Sequence, residues 1–172
     1  RQKIPAMTNR TPYTTIVVSG GFDPLHVGHT RMIKAAAALG NVIVVVNSDS
    51  WLMRKKGYIF MPWDERAEIL HSIQGVFDVV NVNDSDGTVC EVLQRLSPDM
   101  FGNGGDRTNK NTPEMALCDR LGIEMVWGLG GGKIQSSSDL VQDAGLNPVT
   151  DLEDPDLKPQ KSIFLRGKNS ET

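Results

Sequence analysis

Val42-Ile43-Val44-Val45-Val46 sets five β-branched residues in a row. Such residues favour extended backbone. A strand with no polar alternate is apolar on both faces, which suits the interior of a parallel sheet covered on both sides. Further strands are predicted at Thr15–Ser19, Asn41–Val46 (around that run), Val76–Val82, Asp99–Gly102 and Glu124–Trp127. Helical stretches alternate with them: Val27–Leu39 with its four alanines, Pro62–Gly75, Thr88–Leu96, Pro113–Leu121 and Ser136–Gly145. Five strands alternating with five helices predict an α/β fold, a five-stranded parallel sheet with helices on both faces.

The 172 residues suit one domain, expected over 14–146, with a loose arm at 1–13 and a C-terminal tail at 147–172. Net charge is −3, which argues against a general grip on nucleic acid. No apolar run approaches the roughly 18 residues of a membrane helix, so no membrane partner is expected. Arg1–Arg10 lacks the apolar segment of a secretory signal, and Met7 is a candidate start that would leave Arg1–Ala6 as added residues. Cys90 and Cys118 form neither a disulfide framework nor a metal spacing. A reducing, cytoplasmic setting is the default. In the tail, apolar Ile163–Leu165 could contribute to a homodimer contact.

Open parallel sheets bind ligands at the carboxyl ends of their strands. Those ends here are rich in Gly, Ser, Asn and Asp, Asn47–Asp49 among them. The most informative is Ser19-Gly20-Gly21-Phe22-Asp23-Pro24-Leu25-His26-Val27-Gly28-His29, which leaves the first strand and opens the first helix. Gly20 and Gly21 let a ligand approach the main chain. His26 and His29, three apart at a helix start, can face one side, with Gly28 leaving the space between them clear. Unpaired N–H groups there attract anions. Together these features read as a phosphate site; the plainer reading is that the histidines cap and pack.

Gly-Phe-Asp-Pro-Leu-His-Val-Gly-His resembles the HxGH signature of the cytidylyltransferase-like nucleotidyltransferases, and the resemblance runs in order from Thr15 to Val141. It implies a Rossmann-like fold and transfer of a nucleoside monophosphate from a triphosphate to a phosphorylated acceptor, releasing pyrophosphate. Arg54-Lys55-Lys56-Gly57 resembles the basic loop whose lysines hold triphosphate and acceptor phosphate; alone it reads as a solvated charge cluster. Asp64-Glu65-Arg66 resembles a Glu-x-Arg element, which would make Arg66 a bidentate phosphate clamp rather than an exposed helix arginine. Asn103-Gly104-Gly105-Asp106 resembles the Lys-Gly-Gly-Asp turn of the heptose adenylyltransferase branch, its glycines against the nucleoside and Asp106 near ribose or base.

Gly130–Ser138 resembles the closing motif, with Lys133, Ser136, Ser137 and Ser138 at the β- and γ-phosphates. Glycines replace the arginine that glycerol-phosphate cytidylyltransferases carry before the serines, which weakens a CTP and glycerol-phosphate assignment.

By this resemblance His26, His29, Lys55, Lys56 and Arg66 are the catalytic candidates. Gly20, Gly21, Phe22, Asp23 and Gly28 join the nucleotide-binding segments, and Arg54, Asn47 and Asp49 the acceptor side. Mg²⁺ would bridge the triphosphate oxygens, with Asp23 as an outer ligand. The expected reaction is AMP transfer from ATP to a sugar or polyol phosphate. CTP-dependent transfer to glycerol phosphate, an amino-alcohol phosphate or a phosphonate is the alternative, and a non-catalytic nucleotide-binding regulatory module is the alternative of another class. His71, Trp51, Trp63 and Trp127 read as packing or surface residues.

Overall fold

The computed structural model describes residues 11–105 and 112–145. Asp106, most of the N-terminal arm and the tail with Ile163–Leu165 lie outside the described residues. The chain runs β1 (Thr15–Gly20), α1 (Val27–Ala37), β2 (Asn41–Val46), α2 (Asp49–Lys56), α3 (Trp63–His71), β3 (Val76–Val80), α4 (Cys90–Leu96), β4 (Met100–Gly104), α5 (Thr112–Leu121), β5 (Glu124–Leu129) and α6 (Ser137–Asp143). The strands form one parallel sheet in the order β3-β2-β1-β4-β5. The expected Rossmann-like α/β architecture is present.

Alternate residues of the β-branched strands feed two cores. Ile16, Val18, Val42, Val44 and Val46 pack with Ile33 and Ala36 of α1 and Leu70 of α3. Val17 and Val45 point the other way, onto Val92 and Leu93 of α4 and Leu117 and Cys118 of α5. That two-sided burial is why the β2 run carries no polar alternate.

Two elements depart from the expected pattern. Arg54–Lys56 of the expected basic loop Arg54–Gly57 belong to an additional helix, α2, over residues 49–56. Ser48 caps it by accepting from the Trp51 N–H at 3.0 Å, Arg54–Lys56 complement its C-terminal dipole, and Gly57 ends it in the left-handed region at φ 77°. Strand β4 continues to Gly104, so Asn103 and Gly104 are strand residues.

The chain switches direction between β1 and β4: β2 and β3 lie on one side of β1, and β4 and β5 on the other. The carboxyl ends of β1, β4 and β5 converge there and leave a crevice.

Candidate active site

The crevice is a cleft of about 330 Å³ lined by Gly20, Gly21 and Phe22, by the start of α1 and by the Gly130–Ser138 segment, which abuts α1 where Gly130 meets Met32. His26 and His29 stand together in it. Their rings stack with centroids 3.8 Å apart and an interplanar angle of 22°, and Phe22 meets His29 edge-on at 4.8 Å.

Capping, the plainer reading, fixes the chemistry of this pair. His26 is the N-cap of α1, and its Nδ1 accepts the Gly28 N–H at 3.0 Å; His29 Nδ1 accepts the His26 N–H at 3.2 Å. Each Nδ1 is therefore an acceptor without a proton. Burial lowers the pKa of both, to about 3 for His29, with the neighbouring imidazole and Lys56 adding to the effect there; Lys56 and Lys133 add to it at His26. At neutral pH both rings are uncharged, and Nε2–H is the donor each can offer a ligand. A Cβ on Gly28 would come within 2.8 Å of His26 Cε1, so glycine there keeps the capping geometry open.

The positive charge comes from lysines. Lys55 and Lys56, at the end of α2, and Lys133, in the glycine-rich segment, all line the cleft. Burial lowers the pKa of Lys56, opposed by the charge of Asp23. Among the described lining residues there is no Asp or Glu; the carboxylate that acts on Lys56 is Asp23, outside the lining.

At the far end, Gly102–Gly105 and Leu129–Gly132 present mostly main chain. The two segments pack so closely that a Cβ on Gly105 would run into the Gly131 carbonyl. Asn103 is buried, its amide nitrogen directed at the Phe101 and Val126 carbonyls. Ser136 caps α6, the Ser137 hydroxyl donates to the Pro24 carbonyl at 2.8 Å, and Ser138 lines the cleft.

Several expected ligands lie elsewhere. Arg66 is fully buried, and its guanidinium donates to the carbonyls of Met61, Gly21 and Asn47 and to Asp49 Oδ1 at 2.7 to 2.9 Å. It fastens the ends of β1 and β2 to the start of α3 and does not line the cleft. Asp49 is its ion-pair partner. Asp23, also fully buried, accepts the N–H groups of Phe60 and Met61 at 2.7 Å each. Burial raises its pKa against those hydrogen bonds and the charges of Arg66 and Lys56. With one N–H on each oxygen it holds the 57–62 segment, and it is not among the cleft-lining residues. Asn47 bonds buried Asp84, and the Arg54 guanidinium reaches the Asp84 carbonyl. Asp23, Asn47, Arg66 and Asp84 form a buried polar layer beneath the cleft, with exposed Arg54 at its edge.

Sequence reasoning missed two residues. Trp51 lines the cleft, with the Lys55 ammonium 5.9 Å from its ring centroid; its place one helical turn before Lys55 was the available signal. Tyr58 is buried, and its hydroxyl has no closed hydrogen bond. Burial raises the phenol's pKa, while the adjacent Ser138 side chain works in the other direction. Nothing in the sequence singles Tyr58 out.

A parallel α/β domain whose cleft at the switch point has lysines and no carboxylate among its described lining residues has the features of an anion-binding site. Residues 17–127 match the cytidylyltransferase-like family, and the chain belongs to that family. It is 38% identical over 121 residues to the bifunctional protein HldE of Streptomyces coelicolor, a match covering 68% of this chain and 26% of that protein. It is 38% identical over 94 residues to the FAD synthase of Pyrococcus abyssi, covering 54% of this chain and 63% of the synthase. The matches thus span less than two thirds of these curated relatives. The crystal structure of a lipopolysaccharide core biosynthesis protein from Thermoplasma volcanium shares the fold, with a TM-score of 0.59 and 23% identity, covering 70% of this chain and 98% of that one.

Proposed function

We propose that the chain is a nucleotidyltransferase that moves a nucleoside monophosphate from ATP, or from CTP, onto the phosphate of a small phosphorylated metabolite and releases pyrophosphate. The observation that carries this reading is the stacked pair His26 and His29, each with Nδ1 held by the helix start, in one cleft with Lys55, Lys56 and Lys133. Similarity to HldE and FAD synthase favours ATP, in keeping with the glycine turn and serine cluster.

In this mechanism an acceptor phosphate oxygen attacks the α-phosphorus in line and pyrophosphate leaves from the opposite side. The acceptor is already ionised at neutral pH, so no side chain must act as nucleophile or base. The protein's work is to hold two anions together and to stabilise charge spreading over the transferred group. The lysines offset the repulsion. The neutral imidazoles donate Nε2–H bonds from positions fixed before substrate arrives, which avoids reorganisation at the moment of reaction. The glycine-rich walls leave room for the nucleoside against main chain.

Mg²⁺ would arrive with the nucleotide, where it would offset the charge of the phosphates. We place the reaction in the cytoplasm; among the described residues no helix is long and apolar enough to cross a membrane.

The test is pyrophosphate release from each of the four nucleoside triphosphates against a panel of sugar, polyol and amino-alcohol phosphates. The expected result is release only when nucleotide and acceptor are both present. Tight nucleotide binding with no release for any pair would favour the regulatory-module alternative.

A further inference from the structure

The fold treats the three tryptophans differently. Trp63 gives its indole N–H to the Val46 carbonyl and packs against the core, and Trp127 lies within β5, away from the cleft lining. Trp51 lines the cleft. Its backbone is pinned by the Ser48 cap in the first turn of α2, and its ring lies over Gly21, where a Cβ would stand 3.4 Å from Trp51 Cζ3 and 3.0 Å from Leu52 Cδ2. The indole edge thus sits beside the main chain just after β1, with Leu52 packed still closer. One turn later on the same helix, Lys55 holds its ammonium 5.9 Å from the ring centroid, and Lys56 follows it into the cleft.

An anion held by Lys55 and Lys56 consequently lies within about one ring's breadth of an aromatic face. Large aromatic side chains gain most from flat partners that cover them. A short open-chain alcohol covers little of an indole, whereas a sugar's C–H face or a heteroaromatic ring covers much of it.

We propose that Trp51 is the acceptor-reading residue of the cleft and that the acceptor is a phosphate ester bearing a ring, whose face lies on the indole while its phosphate displaces Lys55 from the π-face. This rests on the transferase reading above. It makes Trp51 a specificity determinant, separate from the imidazoles that act on the transferred phosphate, and it disfavours glycerol phosphate as acceptor.

The experiment compares wild type, Trp51→Ala and Trp51→Phe in two ways. In the pyrophosphate assay, with a hexose 1-phosphate, flavin mononucleotide and glycerol 3-phosphate as probes, one of the ring-bearing probes is expected to be the better acceptor. Trp51→Ala then raises its KM about tenfold or more, the scale of losing one ring stacked on an aromatic side chain. The KM for nucleotide stays within about twofold, and Trp51→Phe recovers most of the loss. In parallel, the difference in tryptophan fluorescence between wild type and Trp51→Phe is titrated with each probe, and the Trp51 signal should respond to a ring-bearing phosphate and not to glycerol 3-phosphate.

Glycerol 3-phosphate as the preferred acceptor, an unchanged acceptor KM in Trp51→Ala, or a rise confined to the nucleotide KM would each overturn the proposal. If wild type releases no pyrophosphate with any pair, the transferase reading falls. The fluorescence titration still decides whether Trp51 contacts a ring-bearing phosphate, and a Trp51 signal silent to both ring-bearing probes overturns the proposal by itself.

Discussion

Lys55 and Arg66 lie eleven positions apart, on successive helices after β2, and either could be assigned to phosphate from sequence alone. Lys55 is exposed and lines the cleft, whereas Arg66 is fully buried and spends its guanidinium on three carbonyls and Asp49. The same contrast separates the whole rim from the layer beneath it. Among the described residues the rim presents lysines and neutral imidazoles and no carboxylate; the layer below pairs Arg66 with Asp49, and Asp23 and Asp84 with backbone or side-chain donors. A cleft meant for a polyanion must keep its donors unspent, while the loops that hold it need theirs fully used.

Substitutions should separate the two layers. The largest effect on folding is expected beneath the cleft: Arg66→Ala leaves three carbonyls and Asp49 without their donor and should cost about 3–5 kcal/mol in chemical denaturation, the scale of breaking a buried pair. Arg66→Lys should recover little, because one ammonium cannot reproduce the fork. A folded Arg66→Ala protein that had lost only nucleotide affinity would instead move Arg66 to the rim.

On the rim the order reverses. His29→Ala should leave the far-UV circular dichroism spectrum intact and lower kcat about 10²–10³-fold, as loss of one preorganised donor does. Unchanged turnover would remove the imidazoles from the mechanism.

The pH dependence of stability sharpens the same point. The His29 pKa lies near 3 in the folded chain, below its ordinary 6.5. Above pH 6.5 neither state carries the proton and its contribution is complete. As pH falls below that value, the unfolded chain binds a proton that the folded chain refuses. The melting temperature should therefore decline between pH 6.5 and about 3, and more gently in His29→Ala. Identical profiles for the two proteins would show that the ring is not held neutral.

The smallest effect is expected at Tyr58. Its hydroxyl is buried without a closed bond, so Tyr58→Phe should fold at least as stably as wild type, within about 1 kcal/mol by thermal melt. A clear loss of stability would mean that the hydroxyl is bonded in solution.

Much of this was legible in sequence because it is periodic or local. The five β-branched residues of β2 announced a strand buried on both faces, and they sit there between two cores. The string from Ser19 to His29 announced paired imidazoles at a helix start, and the rings stack there. Residues 49–56 were harder, because three consecutive cations mask a helix whose Ser48 cap and Gly57 terminator were nonetheless in view. Arg66 and Asp23 could not be placed, since their partners lie up to 45 residues away and only the folded loops bring those carbonyls and N–H groups together. Trp51 lines the cleft beside Gly21, thirty residues earlier, a neighbour that no local pattern records.

The most direct test of the central claim is a ³¹P NMR spectrum of the reaction between wild-type protein, the magnesium complex of the preferred nucleotide and its acceptor. The account predicts a pair of mutually coupled resonances from a new diphosphate bridge, appearing together with pyrophosphate and absent with folded His29→Ala over the same interval. A nucleoside diphosphate with a newly phosphorylated acceptor, or inorganic phosphate alone, would place the attack at the γ-phosphorus and contradict it.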